Sequence, residues 1–488
     1  MKVTFIYPDL TESSSGTGSY YSGIGFLSAV LREAGHTTSL LHVTQQIKLE
    51  TFLERLQPHL PERGMKVFGF SVTSNMFPMA REWSRWIKDA YPDCFIIFGG
   101  LHPTLCPEET IALPGVDAIC LGEGEGAMME LCDHLEKGDI REIKNLWVKQ
   151  RGEVIKNGLR PLCNLDSLPF PDRDIFDYPN LYNELRGYAT MMLSKGCPYN
   201  CTYCSSEALA QMYRGLGKRV RFRSVPKAIG ELKRVKLDYP FIQGFAFDDD
   251  ILPLNKRWFA QFAAAYAQEV GMPFICNIRP NLIDQETVAL LKGAGCIEVR
   301  MGIESGNEEI RNQLMGRRLS NDQIVSAFRT CKEAGIRVNA FNMVGLPGED
   351  VQQMLETVKL NDLVGSDSFG VSIFRPYAHT KLYRLSEEKG LITDKVVYDR
   401  DADTTLSVSA RTRTQIIFIR RYFPILVRLY HLARHVPGKL GEKTLDAVLG
   451  AGLTARTIFP LGNGIFGFLR KNPLLDRWVR ALRRRLSR

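Results

Sequence analysis

Three cysteines, Cys197, Cys201 and Cys204, stand in the spacing C-x3-C-x2-C directly after the apolar run at residues 190–193. A short run of that kind, closed by Pro198, Tyr199 and Asn200, reads as a strand that delivers three thiolates to one loop. Thiolates are soft ligands suited to zinc or to iron and sulfur. The spacing therefore demands a strand end with a tight turn, and it leaves one metal position without a protein ligand. A structural zinc would want a fourth ligand from a second C-x2-C or a histidine pair, and none of the other eight cysteines stands in such a pair. A set of buried, inert thiols is the alternative to a metal centre.

On either side of this loop the chain alternates strands and helices. In residues 1–136, short apolar or β-branched runs at 2–7, 37–43, 66–72, 94–98 and 118–121 are separated by helical patterns such as 21–33 and 76–90. That alternation predicts a doubly wound parallel sheet, which binds ligands in the crevice beyond its strand C-termini. Residues 137–189 change character: 145–155 reads as a hairpin turning at Arg151-Gly152, and 165–173 is a proline-punctuated linker. From 190 to 390 a second series predicts six strands, at 190–193, 242–247, 274–277, 298–302, 337–344 and 369–374. Helices at 225–235, 258–270 and 322–334 come between them. Barrel chemistry sits at strand C-termini, where the cysteine loop lies.

The strand ends carry the remaining candidates. In the first domain they are Ser13–Gly18, Ser71-Val72-Thr73-Ser74-Asn75, Gly99-Gly100-Leu101-His102-Pro103-Thr104 and Gly122-Glu123-Gly124-Glu125-Gly126. Small residues there let a large flat ligand approach the backbone, although turn chemistry explains them equally well. In the second domain Asp248-Asp249-Asp250 ends one strand, with helix capping as the bland role for at least one acid. Gly302-Ile303-Glu304-Ser305-Gly306 ends another, where Arg279 or Arg300 offers Glu304 an ordinary ion pair. Gly345-Leu346-Pro347-Gly348-Glu349 ends a third.

With Tyr203 before the last cysteine, this constellation resembles the radical S-adenosylmethionine superfamily. The first-domain segments from Gly99 to Glu125 resemble the cobalamin-binding domain of one of its branches, the class B methyltransferase-like enzymes. The resemblance implies a Rossmann-like cobalamin domain and a partial (β/α)6 barrel, and the helical spacing of the apolar, basic run at 416–434 predicts a mainly helical C-terminal segment at 391–488. It implies a [4Fe-4S] cluster held by Cys197, Cys201 and Cys204. S-adenosylmethionine is then expected beside Tyr203, Asp248, Glu304, Ser305, Gly345 and Gly348. Cobalamin is expected at Ser71, Thr73, Gly99, Gly100, His102, Gly122 and Glu123. The Asp-x-His-x-x-Gly string that ligates cobalt in other cobalamin modules does not occur, so a base-off cobalamin without a protein histidine ligand is expected. A helix-capping His102, or a domain that keeps the fold and has lost the cofactor, stays open beside it.

The implied reaction generates a 5′-deoxyadenosyl radical, abstracts a substrate hydrogen and transfers methyl from methylcobalamin to an unactivated carbon of a small or lipid-like metabolite. An electron donor such as flavodoxin or ferredoxin is expected. Within the branch, a cyclase or rearrangement enzyme is the alternative; outside it, a non-catalytic cobalamin or iron–sulfur sensor. Composition bears on the setting. Eleven cysteines without a regular framework, no secretory leader and no apolar run of about 18 residues predict a cytoplasmic protein. The net charge of +9 is concentrated late: residues 411–488 hold 17 Lys or Arg against Glu442, Asp446 and Asp476. Leu475, Trp478, Val479 and Leu482 form a helical apolar stripe among arginines. A helix lying on an anionic membrane face, a cap on the barrel and a solvated tail are the three readings of that segment. Nucleic acid is not expected as a partner, since no reading module accompanies the charge.

Overall fold

The structure is a computed structural model, and it describes residues 1–10, 16–393, 403–435 and 440–454. Its first layer is a seven-stranded sheet of β1 (Lys2–Pro8), β2 (Thr37–Val43), β3 (Val67–Ser71), β4 (Phe95–Gly99), β5 (Ala118–Cys120), β6 (Leu146–Gln150) and β7 (Glu153–Lys156), in the order β2-β1-β3-β4-β5-β6-β7. β1 to β5 are parallel. They are covered on both faces, which is why β1 reads as an almost continuous apolar run with six of its seven residues buried. The order reverses around β1, with β2 on one side and β3 on the other, so a crevice opens beyond the C-termini of β1 and β3.

The hairpin expected in the connecting segment instead extends this sheet, β6 pairing antiparallel with β5 and β7 with β6. Its two-residue turn holds Arg151 at φ 55° and Gly152 at φ 82°, the left-handed pair that matches strand twist.

The second layer is a six-stranded, all-parallel sheet. Its strands are β8 (Tyr188–Met191), β11 (Gly244–Phe247), β12 (Phe274–Ile278), β13 (Cys296–Glu304), β14 (Arg337–Val344) and β15 (Ser368–Ile373), neighbours in chain order. A two-residue ribbon, β9 (Ser194–Lys195) with β10 (Arg221–Phe222), stands at its end. The expected first strand at 190–193 shifts to Tyr188–Met191. The amide of Leu193 leaves the ladder to donate to the Asp249 carboxylate.

Two helices of this layer start at complete capping boxes, Ser320 with Gln323 and Asp350 with Gln353. The second of them, Val351–Val364, has no clean apolar stripe because both its faces are buried. Its outer side lies under the helix Ala410–Arg434, whose Ile416, Ile419, Phe423 and Leu426 share a cluster with Met354, Leu355 and Val358. For residues 410–434 the basic segment is thus a cap on the barrel. The stripe at Leu475, Trp478, Val479 and Leu482 lies outside the described residues, as do Ser13, Ser14 and Ser15.

Candidate active site

The cysteine loop is fixed from below by Asp249. This side chain, 1% exposed at the end of β11, accepts from the Leu193 amide at 3.1 Å and the Ser194 hydroxyl at 2.5 Å. Burial pushes its carboxyl up to about 7, with those donors opposing the shift. Gly196 then turns the chain at φ 94°, where a Cβ would collide with the Arg219 carbonyl. Arg219 holds the turn by donating to the Asn200 side chain at 2.8 Å and the Tyr199 carbonyl at 2.6 Å. From the other side Thr202 is tied to the carbonyls of Leu314 and Met315.

The donor set fits a polynuclear cluster better than a single ion. Among the described residues one group of three metal-ligating side chains has its ligand atoms within 4.8 Å of one another, and it is not this one. Sulfurs around one tetrahedral zinc at about 2.3 Å would lie about 3.8 Å apart. Arg279, which the sequence offered only as a possible partner for Glu304, proves to belong to the loop. Its guanidinium lies 3.9 Å from the Tyr199 ring centre and donates to Cys201 Sγ at 3.4 Å. Cationic donors to sulfur favour the thiolate and tune a cluster. Asp248 and Asp250 are exposed at the end of β11, and desolvation by the surrounding protein pushes both carboxyls up.

Glu304 ends β13 at φ 66°, a left-handed conformation uncommon for a glutamate, where the register with β14 shifts. Its partner is neither Arg279 nor Arg300. Arg317 donates to Glu304 at 3.0 Å, to the Tyr203 hydroxyl at 2.7 Å and to the Gly302 carbonyl at 2.7 Å. Burial pushes the Glu304 carboxyl up, and Arg317 opposes it. Tyr203 and Glu304 are thus joined in one part-buried network through a residue on no recognised motif.

Ser305, by contrast, is fully buried, its carbonyl taken by Arg311 at 2.8 Å. Gly345 is buried under the helix Ala410–Arg434, a Cβ there lying 3.0 Å from Ile416 carbons, while Gly348 is exposed. Neither Ser305 nor Gly345 has open space beside it for a cofactor. The turn is held instead by Glu349, 5% exposed, which accepts from the amides of Gly345 at 2.7 Å and Leu346 at 3.1 Å. Its other oxygen is unpartnered, and burial pushes the carboxyl up to about 8. A folded-state carboxyl raised in this way binds protons more tightly than in the unfolded chain. Stability is therefore lost as pH rises from about 4.5 towards 8. Glu349→Gln should unfold at the same urea concentration as the parent near pH 5 and be more stable by about 2 kcal/mol at pH 8.5. Equal midpoints at pH 8.5 would mean that the carboxylate is solvated.

The two sheets face one cavity of about 460 Å³. Ser71, Gly99, Gly100, Gly122 and Glu123 line it from the first sheet, Cys197 and Asp250 from the second. Two of its glycines admit no side chain. A Cβ on Gly100, at φ 96°, would come within 2.8 Å of the Val72 carbonyl, and one on Gly122, at φ 69°, would overlap the Tyr213 hydroxyl. That hydroxyl accepts from the Glu123 amide at 3.0 Å, and Glu123 pairs with Arg221 at 2.5 Å. Lys195 adds a pair with Glu125 at 2.9 Å. Opposite charges thus join the first-sheet loops to the ribbon that carries the cysteines.

Thr73 and His102 do not line this cavity. Thr73 donates to Asn75 at 2.6 Å, and the His102 ring packs on Phe77 at 3.9 Å between centres, in the wall of a second cleft. Burial pushes that imidazole down to about 4. A space at the strand ends lined by Gly99, Gly100 and Gly122, with no histidine among the described residues of its wall, fits a flat macrocycle.

Comparison with known proteins follows the same division. Residues 16–132 match the B12 binding domain and residues 191–360 match the radical SAM superfamily. An uncharacterised methyltransferase of Pyrococcus horikoshii is 27% identical over 80% of this chain and 84% of its own. An anaerobic magnesium-protoporphyrin IX monomethyl ester cyclase of Rubrivivax gelatinosus is 22% identical over 82% and 72%. Among solved structures, the cobalamin-dependent S-adenosylmethionine radical enzyme OxsB, with aqua-cobalamin and S-adenosylmethionine bound, superimposes with a TM-score of 0.67. It is 17% identical and covers all of this chain and 75% of the other.

Proposed function

We propose that this chain, which belongs to the radical S-adenosylmethionine enzymes that carry an N-terminal B12-binding domain, methylates an unactivated carbon of a small-molecule or lipid-like metabolite. The observation that carries the reading is the shared cavity: the glycine loops of the first sheet and the cysteine loop of the second bound one space. When bound, the [4Fe-4S] cluster and S-adenosylmethionine supply a hydrogen-abstracting radical, and cobalamin supplies the methyl group. Methyl transfer after such an abstraction requires both reagents at the same substrate carbon, and two separate pockets would not provide that.

The roles of this chain's own residues follow from their positions. Cys197, Cys201 and Cys204 would hold three irons, with Arg279 donating to the Cys201 sulfur. Asp249 fixes the start of the loop. Tyr203, Arg317 and Glu304 form a part-buried wall beside it and, with Asp248, would offer hydrogen-bond groups to the amino-acid or ribose part of S-adenosylmethionine. Ser71, Gly99, Gly100, Gly122 and Glu123 would seat cobalamin.

Anaerobic incubation of the reconstituted protein with methyl-labelled S-adenosylmethionine and extracts of its source, in parallel arms driven by flavodoxin, ferredoxin or dithionite, should yield a labelled metabolite. A product that incorporates no methyl while 5′-deoxyadenosine accumulates would favour the cyclisation reading, which the Rubrivivax relative supports. No helix among the described residues is long and apolar enough to cross a membrane. The basic residues of 411–488 nevertheless support a reversible contact with anionic lipid. Co-sedimentation with anionic vesicles should weaken with salt and vanish for a chain truncated after Asn472; equal binding by both proteins would remove that contact.

A further inference from the structure

A second cleft, of about 810 Å³, separates the first sheet from the segment that follows β15. Its wall includes His102, Cys106 and Glu109, which come from two short helices, Leu101–Leu105 and Pro107–Ile111, that meet at Cys106. An imidazole nitrogen, a thiol sulfur and a carboxylate oxygen from these three side chains lie within 4.8 Å of one another. The function proposed above uses none of them.

An independent observation points to a ligand. His102 is 5% exposed, and its Nε2 is buried without a hydrogen-bond partner. The ring is not free to turn towards one: Ser74 Oγ holds Nδ1 at 3.2 Å and Phe77 packs on its face. Glu109 Oε2 stands 3.8 Å from Nε2, too far for a hydrogen bond but close enough to share a cation with it. A histidine whose far nitrogen is fixed by a polar neighbour, leaving the near one bare, is the usual orientation of a metal ligand.

We propose that His102 Nε2, Cys106 Sγ and the Glu109 carboxylate bind one divalent ion of the zinc class, with its fourth coordination position open to the cleft. One nitrogen, one sulfur and one oxygen form the mixed, borderline-soft set that such an ion takes. Binding converts the Cys106 thiol to a thiolate, and the proton leaves to solvent. Tyr383 and His379 line the same cleft, so the ion lies where the segment after β15 meets the first sheet. The site is separate from the cysteine loop and does not depend on the reaction catalysed.

The test uses the full chain, purified anaerobically with its iron–sulfur cluster reconstituted, stripped with EDTA and then given zinc alone. About one zinc per chain should return, and absorption at the zinc edge should show one sulfur at about 2.3 Å with nitrogen or oxygen at about 2.0 Å. Cys106→Ser and Glu109→Gln should each weaken zinc binding at least tenfold while the iron content stays constant. Both side chains are partly or fully exposed, so these variants keep the buried packing that His102→Gln would disturb. No zinc uptake, a coordination shell with three sulfurs, or unchanged affinity in both variants would overturn the proposal.

Discussion

Replacing Cys197, Cys201 and Cys204 together by Ala should reduce the iron bound after anaerobic reconstitution from about four per chain to near zero and abolish product formation. The fold should survive. Of the three only Cys201 is buried in the protein, and the turn around them is held by Arg219, Thr202 and Asp249 through their own hydrogen bonds. Circular dichroism and the urea midpoint should therefore stay close to those of the parent without its cluster. The outcome that removes the cluster assignment is undiminished iron in the triple variant, since the remaining eight cysteines would then have to supply the ligands.

A large loss of stability is expected where the linker meets the barrel. Glu231 accepts from Arg173 at 2.8 Å and from Arg223 at 2.8 Å, and all three side chains are no more than 4% exposed. Arg173 comes from the linker, Arg223 follows β10 and Glu231 lies on the helix Val225–Asp238, so the carboxylate joins three parts of the chain. Glu231→Leu leaves two buried guanidinium groups without their anion and should cost about 3–5 kcal/mol, read as a fall in the urea midpoint of the barrel's transition. Replacing all three by apolar residues of similar volume should restore most of that loss, because no charge is then left buried and unpaired. A cost below about 1 kcal/mol for Glu231→Leu would mean that water reaches the triad.

Much of this molecule was legible in its sequence, and the reason is local. The strands at Thr37–Val43 and Arg337–Val344 carry their own β-branched and apolar pattern, and the hairpin turn at Arg151-Gly152 follows from one dipeptide. The three cysteines lie within eight residues, so their meeting requires no distant closure. Where a role is carried by neighbours in the chain, spacing alone reveals it.

Other features depended on residues far apart in the chain. Arg317, 114 positions from Tyr203, bears no motif, and only the folded barrel puts it between that hydroxyl and Glu304. The helix Val351–Val364 lost its stripe because the helix Ala410–Arg434 covers its outer face, a contact invisible in either segment. Gly345 stands in a motif, yet Ile416 closes over it. His102 sits two residues from the glycines of the large cavity, but the helix that begins at Leu101 turns its ring onto Phe77 and towards Cys106 and Glu109. The sequence by itself determined two βα sheets and a thiolate loop, because periodicity and short spacing are properties of a segment. Which strand ends share a cavity, and which buried charge answers which, was decided by tertiary packing, because desolvation and ion pairing depend on what the rest of the chain brings within a few ångströms.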